Sequence, residues 1–121
     1  MQLAQVVTYG IDDVLAERLR ERAQTRRFRL RETNQLAACR NLVQSSSVLV
    51  MVLGRDMERE LELLEQVHAA LPRTATIVIG ESANPLLAGL TWDLGASFAL
   101  FPPTPLERIG ELLERILAEA A

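Results

Sequence analysis

The longest apolar stretch in the chain lies between residues 46 and 54, where the sequence reads Ser-Ser-Val-Leu-Val-Met-Val-Leu-Gly. Six apolar residues follow one another without alternation, and three of them are β-branched valines. This pattern is typical of a strand that is buried on both faces. Because helices must then cover both faces, the stretch favours a parallel α/β sheet over a sandwich.

Four further segments have the pattern of strands. They lie at residues 4–9, around Phe28 and Leu30, at Thr76–Ile79 and at Ser97–Phe101. Phe28 and Leu30 alternate with arginines, as the residues of a half-exposed edge strand do. Thr76–Ile79 does not alternate and is stopped by Gly80, so we expect this strand to be buried on both faces.

Helical periodicity fills the intervals between the strands. Apolar stripes at helical spacing predict helices that begin near Asp12 or Asp13, near Thr33 or Asn34, at Met57, after Asn84 and after Thr104-Pro105. Aspartate, threonine and asparagine suit the N-cap, and proline suits the first helical position. The third helix is expected to bury the stripe Met57, Leu61, Leu64, Val67 and Leu71 and to end at Pro72.

The order of elements is β-α repeated five times with short connections. Right-handed crossovers between parallel strands place helices on both faces of one sheet. The sequence therefore predicts an α/β fold with a doubly wound, five-stranded parallel sheet. In such a sheet, ligands bind at the carboxyl ends of the strands.

Composition favours one domain. The 121 residues are 49% hydrophobic and 24% charged, which is ordinary for a globular protein. No apolar run approaches the ~20 residues of a membrane-spanning helix, and the N-terminus lacks the pattern of a secretory signal. We expect residues 1–121 to form a single cytoplasmic domain that does not enter a membrane.

Charge is unevenly distributed around a net charge of −3. Seven of the thirteen basic residues, all arginines, lie between Arg18 and Arg31, whereas five acidic residues lie between Asp56 and Glu65. These segments are either solvated helix faces or complementary patches for a partner or for self-association. The negative net charge argues against direct nucleic-acid binding by this domain.

Few residues offer reactive chemistry. No Gly-rich phosphate loop follows the first strand and no nucleophile has a base beside it, so we expect neither an enzyme nor a cofactor. Cys39 has apolar neighbours and is predicted to be buried, the alternative being a reactive thiol beside an arginine. His68 is expected at the surface of the third helix. Asp12, Asp13 and Asp56 either cap helices and solvate loops or hold a hard cation, and we expect no metal.

Two segments resemble the receiver domains of two-component response regulators. The run from Gly95 to Pro103, followed by Leu106 and Ile109, resembles the C-terminal signature of that family. The stretch from Val48 to Leu64 resembles the family's third strand and third helix. The resemblance covers nearly the whole chain and implies the flavodoxin-like (βα)5 fold with strand order 2-1-3-4-5. It also implies a cis peptide bond before Pro103.

The residues that carry the family's chemistry are not matched. Val52 stands where the resemblance places the phosphoacceptor aspartate at the end of the third strand, and Gly80 stands at the position of the hydroxyl residue that ends the fourth strand. Pro102 takes the position of the invariant lysine, and Ala99 that of the switch aromatic residue. The resemblance therefore implies a degenerate receiver, or pseudo-receiver, that lacks the phosphoacceptor.

The family's acidic pair after the first strand has two alternative matches. The direct alignment gives Gly10 and Ile11, whereas a slip of two residues gives Asp12 and Asp13. A phosphoacceptor displaced to one of these aspartates or to Asp56 is a further alternative.

The resemblance implies regulation through a protein partner or a homodimer. In the family, the fourth helix, fifth strand and fifth helix form the usual partner surface. We expect the fourth helix to bury Leu87, Leu90 and Leu94 and to leave Leu86 and Trp92 at its margins. Trp92 either anchors an interface or covers the rim of the core. The interaction residues that we expect are Leu86, Trp92, Phe101 and Arg108.

Two functions remain open. The first is a phosphorylation-independent pseudo-receiver that acts in signal transduction through protein–protein interaction. The alternative is a small-molecule sensor that uses the pocket left by the missing phosphorylation residues, between Gly10, Val52, Gly80 and Pro102. The chain is also compatible with the N-terminal domain of a larger regulator whose output domain binds DNA.

Overall fold

The computed structural model describes residues 3–44, 46–103 and 107–120. Five strands alternate with five helices, as the hydrophobic pattern predicts. The strands are β1 (Gln5–Tyr9), β2 (Arg29–Thr33), β3 (Val48–Val52), β4 (Ala75–Ile79) and β5 (Phe98–Leu100). The helices are α1 (Asp13–Arg26), α2 (Leu36–Val43), α3 (Met57–Ala70), α4 (Pro85–Asp93) and α5 (Arg108–Ala120).

All five strands are parallel and form one sheet in the order β2-β1-β3-β4-β5. This arrangement confirms the predicted flavodoxin-like topology and places β2 at an edge. In the register of the sheet, Val52 lies opposite Ile79, and Ile79 lies opposite Leu100. The carboxyl ends of β3, β4 and β5 therefore meet at one edge of the sheet.

β3 is buried on both faces, as its unbroken apolar run predicts. Val48, Leu49, Val50 and Met51 are each 0% exposed. Leu49 and Met51 belong to one apolar cluster, on the face of the sheet covered by α3 (the α3 face). Val48 and Val50 belong to a second cluster, on the opposite face, which is covered by α1 (the α1 face). Because successive side chains of a strand point to opposite faces, β3 contributes to both cores.

Two of the N-caps predicted from the sequence are confirmed. Asp12 Oδ1 accepts a hydrogen bond from the backbone N–H of Leu15 at 2.8 Å, and Asn84 caps α4 ahead of Pro85. The predicted cap of α2 at Thr33 or Asn34 is wrong, because Thr33 is the last residue of β2 and the helix follows Gln35. The cap predicted at Thr104-Pro105 lies outside the described residues. The Pro102–Pro103 peptide bond is cis, as predicted.

α3 buries a carboxylate on its inner face. Glu60 is 0% exposed, whereas Met57, which was predicted on the buried stripe, is 37% exposed. The Glu60 carboxylate accepts hydrogen bonds from the Tyr9 hydroxyl at 2.7 Å, from the backbone N–H of Gly54 at 2.9 Å and from that of Asp56 at 3.1 Å. These bonds tie the β3–α3 loop to β1 and satisfy the buried charge. Burial, and then the bond to Glu60, raise the pKa of Tyr9.

Ion pairs neutralise much of the arginine-rich segment within the chain. Glu114 of α5 accepts hydrogen bonds from Arg22 and from Arg26 of α1. Arg20 pairs with Glu32 through two hydrogen bonds, at 2.8 and 2.9 Å. These contacts favour the interpretation of α1 as a solvated helix face that also packs on α5.

Thr8 of β1 is buried at 0% exposure, and its hydroxyl has no hydrogen-bond partner among the described residues. Leaving a buried hydroxyl unpaired costs free energy. Replacing it by a methyl group of the same shape removes that cost. We therefore expect Thr8→Val to raise the free energy of unfolding by about 1 kcal/mol, measured by chemical denaturation.

Thr91 of α4 is the matched control for this substitution. It is also 0% exposed, but its hydroxyl donates a hydrogen bond to the carbonyl oxygen of Ala88 at 2.7 Å. Thr91→Val removes this bond and is expected to give no gain in stability. Equal gains at both positions, or a loss at Thr8, would contradict the account.

Candidate functional site

A cleft of about 270 Å³ opens at the carboxyl edge of the sheet. Its lining residues are Gly10, Asp12, Leu15, Val52, Ile79, Gly80, Glu81, Leu100 and Pro102. They come from the ends of β1, β3, β4 and β5 and from the start of α1. The structure thus brings together Gly10, Val52, Gly80 and Pro102, which are distant in the sequence.

Gly10 and Val52 form a close backbone contact at one end of the cleft. Gly10 has a φ of +74°, and a Cβ atom added to it would lie 3.3 Å from the carbonyl oxygen of Val52. A side chain at this position is therefore disfavoured by both conformation and space. Ile11 packs against the apolar cluster on the α1 face of the sheet. Neither residue that directly follows β1 places a charge in the cleft.

Gly80 is covered by the ring of Phe101. A Cβ atom added to Gly80 would lie 2.1 Å from one ring carbon of Phe101 and 2.2 Å from another. Phe101 is 8% exposed and belongs to the apolar cluster on the α3 face, against which Ala99 also packs. Phe101, which was expected among the interaction residues, thus has a buried ring that fills the space above Gly80.

The aspartates considered for a cation have separate structural contacts. Asp12 lines the cleft and caps α1, whereas Asp56 precedes α3 and lies 3.7 Å from Arg59. Asp13, the first residue of α1, is exposed. The described part of the chain contains no group of three or more His, Cys, Asp or Glu residues arranged to hold a metal ion.

α4 presents an apolar surface to solvent. Leu86 is 89% exposed and Trp92 is 50% exposed, in agreement with the helical pattern. The prediction that Leu90 packs on the sheet is wrong, since it is 42% exposed and Thr91 is buried instead. Leu86, Leu90 and Trp92 are called the α4 apolar patch below. Arg108, at the start of α5, is also exposed.

The remaining reactive groups lie outside the cleft. Cys39 is 0% exposed, and burial raises the pKa of its thiol to about 11. This environment contradicts the reactive-thiol alternative, because an activated cysteine needs a lowered pKa and access to solvent. His68 is exposed on α3, with its ring packed against Gly95.

The sequence patterns did not indicate one buried acidic residue, Glu60, and they assigned no role to Glu81 at the carboxyl edge. Glu60 lies four residues before Leu64 and seven before Val67, so its place on the buried face of α3 was readable from helical spacing. Glu81 directly follows Gly80 and is therefore at the edge where strands end. Within the described residues, no helix has the length and apolar character needed to cross a membrane.

The contact between Gly80 and Phe101 predicts the effect of one added methyl group. We expect Gly80→Ala to lower the free energy of unfolding by about 2 kcal/mol, because the ring must move out of a packed position. In the Phe101→Leu background the same substitution costs less. A double-mutant cycle by chemical denaturation measures this coupling.

Gly89 of α4 is the matched control, since a Cβ atom added there meets nothing within 4 Å. Gly89→Ala is expected to raise stability by about 0.5 kcal/mol, because alanine favours the helix. A neutral Gly80→Ala substitution, or costs that simply add in the double variant, would contradict the packing described.

Comparison with known proteins places this geometry in a fold family. The sequence matches no model of a known protein family. No curated protein matches it significantly. The solved structures, by contrast, contain many similar chains.

Three examples from this set are response regulators or their receiver domains. A CheY-like receiver domain protein from Methanospirillum hungatei has a TM-score of 0.79 at 16% identity, covering 98% of this chain and 96% of that one. An orphan response regulator of H. pylori has a TM-score of 0.79 at 12% identity, covering 94% and 96%. DrrB, an OmpR/PhoB homologue from Thermotoga maritima, has a TM-score of 0.80 at 14% identity, covering 98% of this chain and 54% of that chain. The chain therefore has the fold of response-regulator receiver domains.

Proposed function

We propose that this domain acts in signal transduction as a phosphorylation-independent receiver, by binding another protein or a second copy of itself. The observation that carries the proposal is the combination of two features: a carboxyl edge where Val52, Gly80 and Pro102 offer no carboxylate, hydroxyl or ammonium group, and an exposed α4 apolar patch. The first removes the chemistry of phosphoryl transfer, and the second offers a surface for binding.

The carboxyl edge lacks the groups that phosphorylation needs. The last residue of β3 is Val52, whose side chain has no oxygen to accept a phosphoryl group. Gly80 has no hydroxyl, and the Phe101 ring takes the space that a side chain there would need. Pro102 has no ammonium group to neutralise a phosphoryl charge. Asp12 and Glu81 supply carboxylates to the cleft, but Asp12 serves as the N-cap of α1 and neither residue lies at the end of β3.

The α4 apolar patch supports binding through the surface formed by α4, β5 and α5. Three large apolar side chains, Leu86, Leu90 and Trp92, lie exposed on a helix of nine residues. Tryptophan is enriched at the centres of protein interfaces because it buries a large area at small entropic cost. Arg108, Glu111 and Arg115, exposed on α5, supply charges of both signs. A two-fold interface pairs such charges reciprocally, so a second copy is the preferred occupant.

The Thermotoga maritima protein is longer than the present chain, which covers only 54% of it. That protein therefore contains residues beyond the part that resembles this domain. By analogy, this domain regulates an output domain in a longer regulator, and the output domain rather than this domain binds DNA. Phe101 does not contribute to the binding surface, whereas Arg108 does.

Trp92 allows the proposal to be tested directly, since it is the one tryptophan of the sequence. We expect the wild-type chain to form a concentration-dependent dimer in sedimentation equilibrium. The tryptophan emission should shift to shorter wavelength as the dimer forms. Trp92→Glu should leave the chain folded and monomeric, because a carboxylate at the centre of an apolar interface is desolvated without a partner.

Val14→Glu is the matched control, because Val14 is 65% exposed on α1, away from the α4 apolar patch. This variant should dimerise like the wild type. A wild-type chain that stays monomeric with unchanged emission up to millimolar concentration would reject the second copy as occupant, and equal dimerisation of both variants would reject the patch.

A further inference from the structure

We propose that the cleft at the carboxyl edge binds a small organic amine, with the apolar part of the ligand on the cleft floor and its ammonium group between Asp12 and Glu81. This binding site is independent of the α4 apolar patch, and it goes beyond the proposed function. Its ligand has the opposite charge to a phosphoryl group.

The floor of the cleft is hydrocarbon. Leu15, Val52, Ile79 and Leu100 line it, and all four belong to or pack against the apolar cluster on the α1 face of the sheet. Gly10 and Gly80 contribute backbone without side chains to the lining. A ligand on this floor gains free energy by removing apolar surface from water.

The charged groups of the lining are both acidic. Asp12 uses Oδ1 to cap α1, and its other carboxylate oxygen makes no hydrogen bond within the described residues. Glu81 is exposed and forms no ion pair there, and its Oε2 lies 3.3 Å from the position of a Cβ atom on Gly54, two residues after Val52. Two carboxylates above a low-dielectric floor attract a cation and repel an anion.

One basic residue approaches the cleft from the side. Arg55 Nε lies 3.9 Å from the position of a Cβ atom on Gly10, but Arg55 is not among the lining residues. It also lowers the pKa of Tyr9, in opposition to burial and Glu60, and the Tyr9 side chain belongs to the cluster on the opposite face of the sheet. Arg55 thus adds one positive charge beside Gly10, and together with the two carboxylates it leaves the net charge around the cleft negative.

The size of the cleft limits the ligand. A cavity of 150 Å³ holds benzene, so a cleft of about 270 Å³ accommodates on the order of ten non-hydrogen atoms. An amine on a single ring or a short branched chain has this size, whereas a nucleotide does not. Affinities of such ligands are modest, which suits detection by NMR.

Three probes of one shape and different charge test the proposal: benzylamine, benzyl alcohol and benzoate. Each is titrated into the ¹⁵N-labelled wild-type chain. We expect benzylamine to give saturable shifts at the amides of Gly10, Gly80 and Leu100. Benzyl alcohol should bind about fivefold more weakly, as expected for two partly exposed ion pairs, and benzoate more weakly still.

Two isosteric variants test the carboxylates. Asp12→Asn keeps an oxygen for the N-cap of α1, and Glu81→Gln keeps the shape of the side chain. The double variant should bind benzylamine and benzyl alcohol equally. Glu62→Gln, an exposed residue of α3 outside the cleft, should bind like the wild type.

The outcomes separate this proposal from the proposed function. Trp92→Glu should bind benzylamine with wild-type affinity whatever its oligomeric state. No saturable shift at the cleft amides, equal binding of benzoate and benzylamine, or an unchanged preference in the double variant would each overturn the amine site. None of these results bears on dimerisation.

Discussion

The contact between the Phe101 ring and Gly80 determines what the carboxyl edge of this sheet can do. The ring occupies the space of a side chain at position 80, so only glycine fits without displacement. Because Phe101 is anchored in the apolar cluster on the α3 face, the end of β4 is covered from that side. The cleft that remains opens towards α1 and is floored by Val52 and Leu100. Packing, rather than polar chemistry, thus shapes the place where parallel sheets usually bind their ligands.

The same strand that organises the fold ends without a reactive group. β3 supplies Leu49 and Met51 to one core and Val48 and Val50 to the other, which holds the two helical layers on the sheet. Just beyond it, Glu60 fixes the β3–α3 loop through bonds to Tyr9, Gly54 and Asp56. A buried carboxylate with three partners resists rearrangement, since each lost bond leaves a charge without compensation. The β3–α3 loop next to the cleft is therefore held in one conformation. A binding surface that does not depend on a switch of this loop agrees with such a fixed conformation.

The sequence predicted the topology because period-2 and period-3.6 patterns alternate cleanly and crossovers have one hand. It also located Gly10, Val52, Gly80 and Pro102 at one edge. The position of Phe101 was not predictable, since a strand pattern does not show which residue a ring will cover. Leu90 was misplaced because α4 is apolar on nearly all sides, so its pattern does not select one buried face. Glu60 was readable from its spacing, although a charged residue on a buried stripe is uncommon.

The most direct test of the account is NMR of the ¹⁵N-labelled chain with beryllofluoride and Mg²⁺, which together mimic a phosphorylated aspartate. Val52 offers no carboxylate, and Asp12, Asp13 and Asp56 are not arranged around a common ion. We expect no saturable shift at Gly10, Val52 or Gly80, and no mass increase after incubation with acetyl phosphate. A saturable shift at these amides, or a phosphoryl adduct on any aspartate, would contradict phosphorylation independence.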